Sequence, residues 1–110
     1  MKQGEIWHAN LNPTKRSEQT GFRPVVIISG NLLNRYLPVV IVVPLTTKIK
    51  NYKGHPILTP GVSNGLKEPS EMLVFHIRSV SKDRLVRKIG NIENSELKQA
   101  VVTLNDILRY

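Results

Sequence analysis

The sequence has 110 residues, the usual size of one domain, and it contains no cysteine, which excludes disulfide bridges, thiolate metal sites and cysteine nucleophiles. Sixteen Lys and Arg residues against eight Asp and Glu residues give a net charge of +8. Residues 94–110 carry two charges of each sign, so the surplus lies in residues 1–93. A surplus of this size favours a polyanionic partner, a nucleic acid or an acidic protein, although it also serves solubility.

Short apolar runs separated by turn signals predict a mainly β fold up to residue 92. In chain order we expect a strand over 4–11, a polar loop over 12–22, and strands over 24–29 and 39–45 with one helical turn over 31–35 between them. A basic loop over 48–54 and a weak strand over 55–59 follow. The last predicted elements before the helix are a loop over 61–69, a long bent strand over 71–80 and a strand over 85–92.

The pattern becomes helical in the last seventeen residues, 94–110. Four apolar residues recur at spacings of four, three and four and define one predicted helix face: Leu97, Val101, Leu104 and Leu108. Asn94 or Ser95 is expected to cap the helix, and Glu96 suits the positive end of its dipole. The predicted fold is a small twisted β-barrel or sheet with a C-terminal helix packed on it, an α+β arrangement with most of the chain in strands.

No signal peptide or membrane span is predicted. The first eleven residues mix polar and apolar types, and the longest apolar run, residues 37–45, is too short to cross a bilayer and contains two prolines. No linker, repeat or low-complexity tract divides the chain. We therefore expect a cytoplasmic protein with a single domain over residues 1–110.

The pattern of titratable residues gives no support for a metal site. His8, His55 and His76 are far apart in the sequence, and no carboxylate pair accompanies them at ligand spacing. The glycines are isolated, so a glycine-rich phosphate loop is also absent. We expect no metal and no cofactor, and we interpret the lone histidines as surface or strand residues.

Two segments are candidates for chemistry. The polar loop ends at Arg23, which stands at the start of a buried strand where Pro24 fixes the following backbone. Functional residues are often found on loops held by a rigid scaffold. Thr46 and Thr47 emerge at the end of another apolar strand. By pattern alone, Arg23 is equally well explained as a surface charge, and the two threonines as an ordinary strand end.

The sequence contains three motifs in a characteristic order: GEIWHANLNPTKRSEQTGFRP over residues 4–24, VVPLTT over 42–47, and the weaker GLKEPSEMLVFHIRSVSKDRL over 65–85. Together they resemble the MazF/PemK family of toxin endoribonucleases, from residue 4 to the end of the chain. The Arg-Pro pair and the Pro-Leu-Thr-Thr segment, following a Ser-Glu-Gln loop, are the specific part of the resemblance.

The resemblance implies a compact, mostly antiparallel SH3-like β-barrel with a C-terminal helix, assembled as a homodimer. It also implies the toxin of a type II toxin-antitoxin system, an mRNA interferase that cleaves single-stranded RNA at specific sequences without a metal. The implied products carry a 2′,3′-cyclic phosphate and a 5′-hydroxyl. An acidic cognate antitoxin would be the protein partner, which agrees with the basic charge.

The resemblance also implies roles for individual residues. Arg23 and Thr46 occupy the places of the catalytic arginine and threonine, and Glu18 matches a loop glutamate that some members need. The residues expected to bind RNA are Ser17, Gln19, Thr47, Lys48, Ser70, His76 and Arg78. Because arginine is too basic to be a good general base, Arg23 is assigned to transition-state stabilisation, and Glu18 or His76 to proton removal.

Several positions depart from the family pattern. Phe75 and His76 replace an acidic residue and a glutamine, and Pro69 replaces an aspartate. The family branch with Arg and Asp on the same strand is not matched, since Leu73 and Phe75 stand there. Base recognition is expected in this region, so the RNA motif does not carry over, and His76 is equally well interpreted as a strand histidine.

The basic loop and the overall function keep alternatives open. Lysines alternate with an aromatic residue in this loop, at Lys48, Lys50, Tyr52 and Lys53. We interpret these charges as contacts to the RNA backbone, against the alternative of a solvated loop.

A non-catalytic RNA-binding barrel would explain the charge but not the pairing of Arg23 with Thr46. A gyrase poison of similar fold ranks third, since that branch has a tryptophan near the end of its last helix and Trp7 is the only tryptophan here.

Overall fold

The computed structural model describes residues 1–12 and 21–109. The strands in these residues are β1 (Glu5–Asn10), β2 (Phe22–Ile27), β3 (Val39–Thr46), β4 (Ile57–Leu58), β5 (Ser70–Met72), β6 (Arg78–Ser81) and β7 (Leu85–Asn91). The α-helices are α1 (Asn31–Tyr36) and α2 (Asn94–Ile107). The predicted order of elements is therefore confirmed in this part of the chain, including the helical turn between β2 and β3.

The strands form one curled antiparallel sheet in the order β4-β5-β3-β2-β1-β7. The long strand β3 lies at the centre, because β2 pairs with one of its edges and both β5 and β6 pair with the other. The register shifts twice between β1 and β7, which is typical of β-bulges that bend a sheet. The predicted α+β architecture, a barrel-like sheet with a C-terminal helix, is confirmed.

The core has two layers because the central strands are buried on both faces. Val26 of β2 and Val43 of β3 pack in the layer that contains Ala100 of α2. Their neighbours Val25 and Val42 pack in the second layer, on the opposite face of the sheet. Strands buried on both faces need continuous apolar sequence, which explains the runs of β-branched residues in β2 and β3.

The prediction of one long strand over 71–80 is wrong in detail. β5 pairs with the end of β3 and β6 with its beginning, and the short 3₁₀ turn Val74–His76 separates them. The interruption lies beside Pro44, which has no N–H to donate to a continuous ladder. The Pro44 carbonyl instead accepts a single hydrogen bond from the Leu73 N–H at 2.9 Å. The chain therefore leaves β3 at this point and pairs with it again from Arg78, with the pairing register shifted by three residues.

The helix cap and the helix face also differ from the prediction. Glu93, rather than Asn94 or Ser95, is the N-cap, and it forms a reciprocal capping box with Glu96. Of the predicted face residues, Leu97 and Leu104 pack partly buried against the core, whereas Val101 and Leu108 are 39% and 68% exposed. The buried residues of α2 are Ala100 and Thr103, and Thr103 Oγ1 donates a hydrogen bond to the Gly54 carbonyl.

Two negative observations apply to residues 1–12 and 21–109. Neither α-helix there has the length and apolar character needed to cross a membrane. The His, Asp and Glu side chains of these residues form no group of three that could hold a metal ion.

Candidate active site

The sheet brings Arg23 and Thr46 together. Arg23 is exposed near the start of β2, where the buried residues that follow hold the strand in place. The register pairs Val25 with Pro44, and its continuation by two residues places Arg23 opposite Thr46 at the end of β3. Both residues line one surface cavity of about 350 Å³. The geometry therefore unites two residues that are 23 positions apart in the sequence.

The same cavity contains three more of the predicted site residues. Thr47, Lys48 and Ser70 line it with Arg23 and Thr46, and its remaining wall is formed by Phe22, Pro24 and Leu45. We call it the Arg23–Thr46 cavity. Its lining combines cationic groups with hydroxyl donors, and these are the groups that bind phosphate oxygens.

The Thr46 hydroxyl has a defined orientation. Its Oγ1 accepts a hydrogen bond from the Lys48 backbone N–H at 3.1 Å. Since a hydroxyl is one donor with two acceptor lone pairs, accepting this bond leaves its hydrogen available to donate to a ligand in the cavity. The sequence Thr-Thr-Lys therefore forms a small turn that fixes the Thr46 oxygen in the cavity it shares with Arg23.

A second cavity, of about 390 Å³, lies on the other side of Arg23 and contains the predicted residues His76 and Arg78. We call it the His76 cavity. Both His76 and Arg78 are exposed, and the ring of His76 lies 4.3 Å from that of Phe75 between centroids. Arg23 borders both cavities, so its guanidinium stands where a ligand that extends through them would pass.

Further basic residues extend this surface in both directions. A cavity of about 290 Å³ shares Thr47 and Ser70 with the Arg23–Thr46 cavity and adds Lys67 and Arg87. Another, of about 270 Å³, shares Arg78 with the His76 cavity. We call the four connected cavities the cationic cleft. Lys67 and Arg87 were not predicted from the sequence, although Arg87 is one of two adjacent exposed charges on β7, the other being Lys88.

A buried hydrogen-bonded pair beside this cleft, Glu71 and His55, was not predicted from the sequence. The Glu71 side chain is fully buried, and its Oε2 lies 2.7 Å from His55 Nδ1. Burial raises the pKa of Glu71, but hydrogen bonds from His55 and from three backbone N–H groups lower it more, so the net pKa lies below the ordinary 4.5. The carboxylate is therefore ionised at neutral pH.

The remaining predicted site residues, Ser17, Glu18 and Gln19, lie outside the described residues. Trp7, the single tryptophan, is half-buried against the second core layer and donates a hydrogen bond from Nε1 to Glu5 Oε1 at 2.9 Å. It lines none of the cavities of the cationic cleft.

Residues 2–108 match the sequence profile of the family described as PemK-like, MazF-like toxin of type II toxin-antitoxin system. The chain belongs to this family. The PemK/MazF-like chain is 33% identical over 104 residues to endoribonuclease MazF9 of Mycobacterium tuberculosis, covering 90% of this chain and 88% of that protein. It is 35% identical over 100 residues to endoribonuclease MazF of Staphylococcus saprophyticus, covering 90% and 83%.

A solved structure supports the fold of this PemK/MazF-like toxin. The MazF of a MazE–MazF crystal structure from Deinococcus radiodurans has a TM-score of 0.80 and 23% identity, over 98% of this chain and 95% of that one. The family and fold predicted from the three motifs are confirmed, and the names of the relatives agree with the predicted enzyme class, endoribonuclease.

Proposed function

We propose that this chain is a sequence-specific, metal-independent endoribonuclease that cleaves single-stranded mRNA as the toxin of a type II toxin-antitoxin pair. The observation that carries the proposal is the position of Arg23, between two cavities and beside the Thr46 hydroxyl, in a chain whose relatives are endoribonucleases. A non-catalytic RNA-binding barrel would have no need for this pairing.

The proposed reaction is an in-line transesterification. The ribose 2′-oxygen loses its proton and attacks the adjacent phosphorus, and the bond from phosphorus to the 5′-oxygen breaks. The departing 5′-oxygen takes up a proton, which leaves a 2′,3′-cyclic phosphate and a 5′-hydroxyl. Negative charge builds up on the non-bridging oxygens during this step. A guanidinium stabilises such charge through several fixed donors, and a well-placed donor contributes about 3–4 kcal/mol.

Each residue of the Arg23–Thr46 cavity has a role in this scheme. Arg23 donates hydrogen bonds to the non-bridging oxygens. Thr46 donates one more to the same oxygens through its hydroxyl hydrogen, which the contact with the Lys48 N–H does not use. The cation needed for charge stabilisation is thus supplied by a side chain. Thr47, Lys48 and Ser70 hold the scissile phosphate and its neighbours in line for attack.

Two residues are proposed as the general base. Glu18, in the Ser-Glu-Gln loop, has the appropriate chemistry when ionised. His76 lines the cavity on the other side of Arg23, and histidine is the side chain that most often acts as a general base. A pH–rate profile distinguishes them, because replacing the true base by glutamine removes the acidic limb of the profile while the other substitution leaves it in place.

The substrate is proposed to be single-stranded because the cationic cleft offers charges for one backbone and aromatic rings for unstacked bases. Phe75 is 47% exposed beside His76, at the positions where the sequence departs from the family pattern. Phe75 and His76, together with Ser17, Gln19 and Arg78, are proposed to contact RNA and to recognise a base sequence that differs from those of other family members.

The proposed assembly is a single domain over residues 1–110 that forms a homodimer in the cytoplasm. Leu32, Leu33, Tyr36 and Leu37 are 42–71% exposed within or directly after α1, and an apolar surface of this kind favours association between subunits. An acidic antitoxin segment is proposed to bind across the cationic cleft and block it, in keeping with the MazE–MazF complex of the structural relative.

The test is incubation of the purified protein with a long single-stranded RNA in EDTA, followed by mapping of the new 5′ ends. Cuts at one short recurrent sequence with 5′-hydroxyl ends would support the proposal, and folded Arg23→Ala protein should leave the RNA intact. An RNA that stays intact but shifts on a gel would overturn the catalytic proposal in favour of a binding module.

A further inference from the structure

The basic loop over residues 48–54 has an unusual internal support. It directly follows Thr46 and Thr47, contains no helix or strand, and includes the non-glycine residue Asn51 at φ +56°. Three consecutive backbone N–H groups of this loop turn inward, those of Lys50, Asn51 and Tyr52. Consecutive inward N–H groups form a nest, a concave arrangement that binds an anion.

The anion in this nest is the Glu71 carboxylate. Its Oε1 accepts hydrogen bonds from Lys50 and Asn51, both at 2.8 Å. Its Oε2 accepts from Tyr52 at 3.1 Å and lies 2.7 Å from His55 Nδ1. A carboxylate that already accepts three N–H groups has no proton to give, so His55 Nδ1 is the donor of the fourth bond.

Further contacts hold the C-terminal end of the loop, next to this pair. The His55 ring stacks on Phe75, with centroids 5.0 Å apart and an angle of 17°, and Tyr52 meets both rings edge-on. Gly54 lies next to His55, and its carbonyl accepts hydrogen bonds from Thr103 and Gln99 of α2. The loop therefore rests on a buried charge, on an aromatic ring and on the C-terminal helix.

The outer side of the loop faces the cleft and the solvent. Lys48 lines the Arg23–Thr46 cavity, and Lys50 and Lys53 are exposed. Glu71 is also the ladder partner of Thr46, so one residue of β5 contacts both the strand that carries the proposed catalytic hydroxyl and the loop that carries the lysines. Glu71 thus binds the backbone N–H groups of residues 50–52, while the side chains of Lys48, Lys50 and Lys53 remain exposed.

We propose that Glu71 and His55 are positioning residues for RNA binding: they hold the basic loop in the one conformation that places Lys48 in the cationic cleft and leaves Lys50 and Lys53 exposed beside it. This inference rests on the proposed function. Arg23 and the Thr46 backbone belong to β2 and β3, whose pairing does not depend on the loop. Loss of the anchor therefore weakens RNA binding much more than it slows the chemical step.

The test uses Glu71→Gln, which keeps the shape of the side chain but places an NH₂ donor against backbone N–H donors. Its matched control is Asp106→Asn, which removes one carboxylate charge from an exposed position on α2. A second pair of variants isolates His55: His55→Leu removes the donor, whereas His55→Asn keeps a side-chain N–H at a similar place. Each variant is first checked for folding by circular dichroism and compared at a temperature where all are folded.

We expect Glu71→Gln to raise KM for RNA about fivefold or more and to leave kcat within about twofold of the wild type. It should also reduce the slope of log K against log salt by about 1–2. This reduction corresponds to the loss of two or three lysine–phosphate contacts, each of which contributes about 0.7 to the slope. His55→Leu should change KM and slope in the same direction, His55→Asn should restore much of the loss, and Asp106→Asn should match the wild type. A role in stability alone would lower the melting temperature and leave the slope unchanged.

The inference is overturned if folded Glu71→Gln and His55→Leu proteins bind with unchanged KM and salt slope, or if kcat falls while KM stays the same. Should Glu71→Gln fail to fold, the comparison of His55→Leu with His55→Asn decides the question alone. Equilibrium binding of a fluorescent single-stranded RNA separates this test from the proposed function, because the anchor affects binding even if the wild-type protein does not cleave.

Discussion

The backbone N–H of Lys48 donates a hydrogen bond to Oγ1 of Thr46 at 3.1 Å. Since the hydroxyl acts as an acceptor in this contact, its hydrogen remains available for donation to a phosphate oxygen in the Arg23–Thr46 cavity. It also ties the end of β3 to the first residue of the basic loop. The hydroxyl proposed to be catalytic thus lies just before the basic loop, two residues from its first lysine.

Thr46→Val tests the role of the hydroxyl at constant shape. We expect cleavage to fall roughly 10- to 100-fold, because a hydrogen bond to a charged group contributes about 1.5–3 kcal/mol. Thr46→Ser keeps the hydroxyl and should retain most of the activity. Single-turnover cleavage rates at saturating RNA measure the effect, and equal rates for the valine and serine variants would contradict the assignment.

Arg23→Ala should lower the cleavage rate roughly 100- to 1,000-fold, since it removes the donor that stabilises the developing charge. Arg23→Lys should be intermediate, because a lysine keeps the charge but loses the planar fork of the guanidinium. Arg23 is exposed, so both variants are expected to melt near the wild-type temperature. A folded alanine variant with unimpaired cleavage would refute the site.

The cationic cleft predicts which charges set the salt dependence of binding. Lys67→Gln and Arg87→Gln should each reduce the slope of log K against log salt by about 0.7, the value for one phosphate contact on a single strand. Lys98→Gln on α2 is the matched control, because Lys98 is exposed but lines none of the cavities of the cleft. Fluorescence titrations at four salt concentrations measure the slopes, and equal slopes for all three variants would rule out the proposed RNA path.

Glu5 predicts a loss of stability in acid. Burial raises its pKa, but hydrogen bonds from Trp7 and Lys2 and the ion pair with Lys88 lower it more, so the net pKa lies below 4.5. A lowered folded-state pKa means that the ionised group stabilises the fold above the unfolded pKa, near 4.5, and that this contribution disappears as pH falls through the folded pKa.

Glu5→Gln should therefore unfold at a lower temperature than the wild type at pH 7, and the difference should shrink below pH 4.5. Melting temperatures between pH 7 and pH 3 measure the trend. Glu68→Gln is a suitable control for the loss of one charge, because Glu68 is exposed. A difference that stays constant over this pH range would show that Glu5 acts through packing instead of ionisation.

The elements of the fold were predictable because their signals are local. Continuous β-branched runs indicated β2 and β3, and the helical period of the last seventeen residues indicated α2. The break in the strand over 71–80 depended on Pro44, which belongs to a different strand. The cap at Glu93 and the exposed Val101 depended on how α2 packs against the sheet. These details require partners that are distant in the sequence.

The sequence by itself determined the family, most of the elements along the chain and the identity of Arg23 and Thr46 as the candidate pair, since motifs and periodicity are properties of neighbouring residues. Only the tertiary structure decided that Glu71 is an anchor for the basic loop and that Lys67 and Arg87 extend the cleft. A buried carboxylate has meaning only through the donors around it, and these come from a segment about twenty residues away.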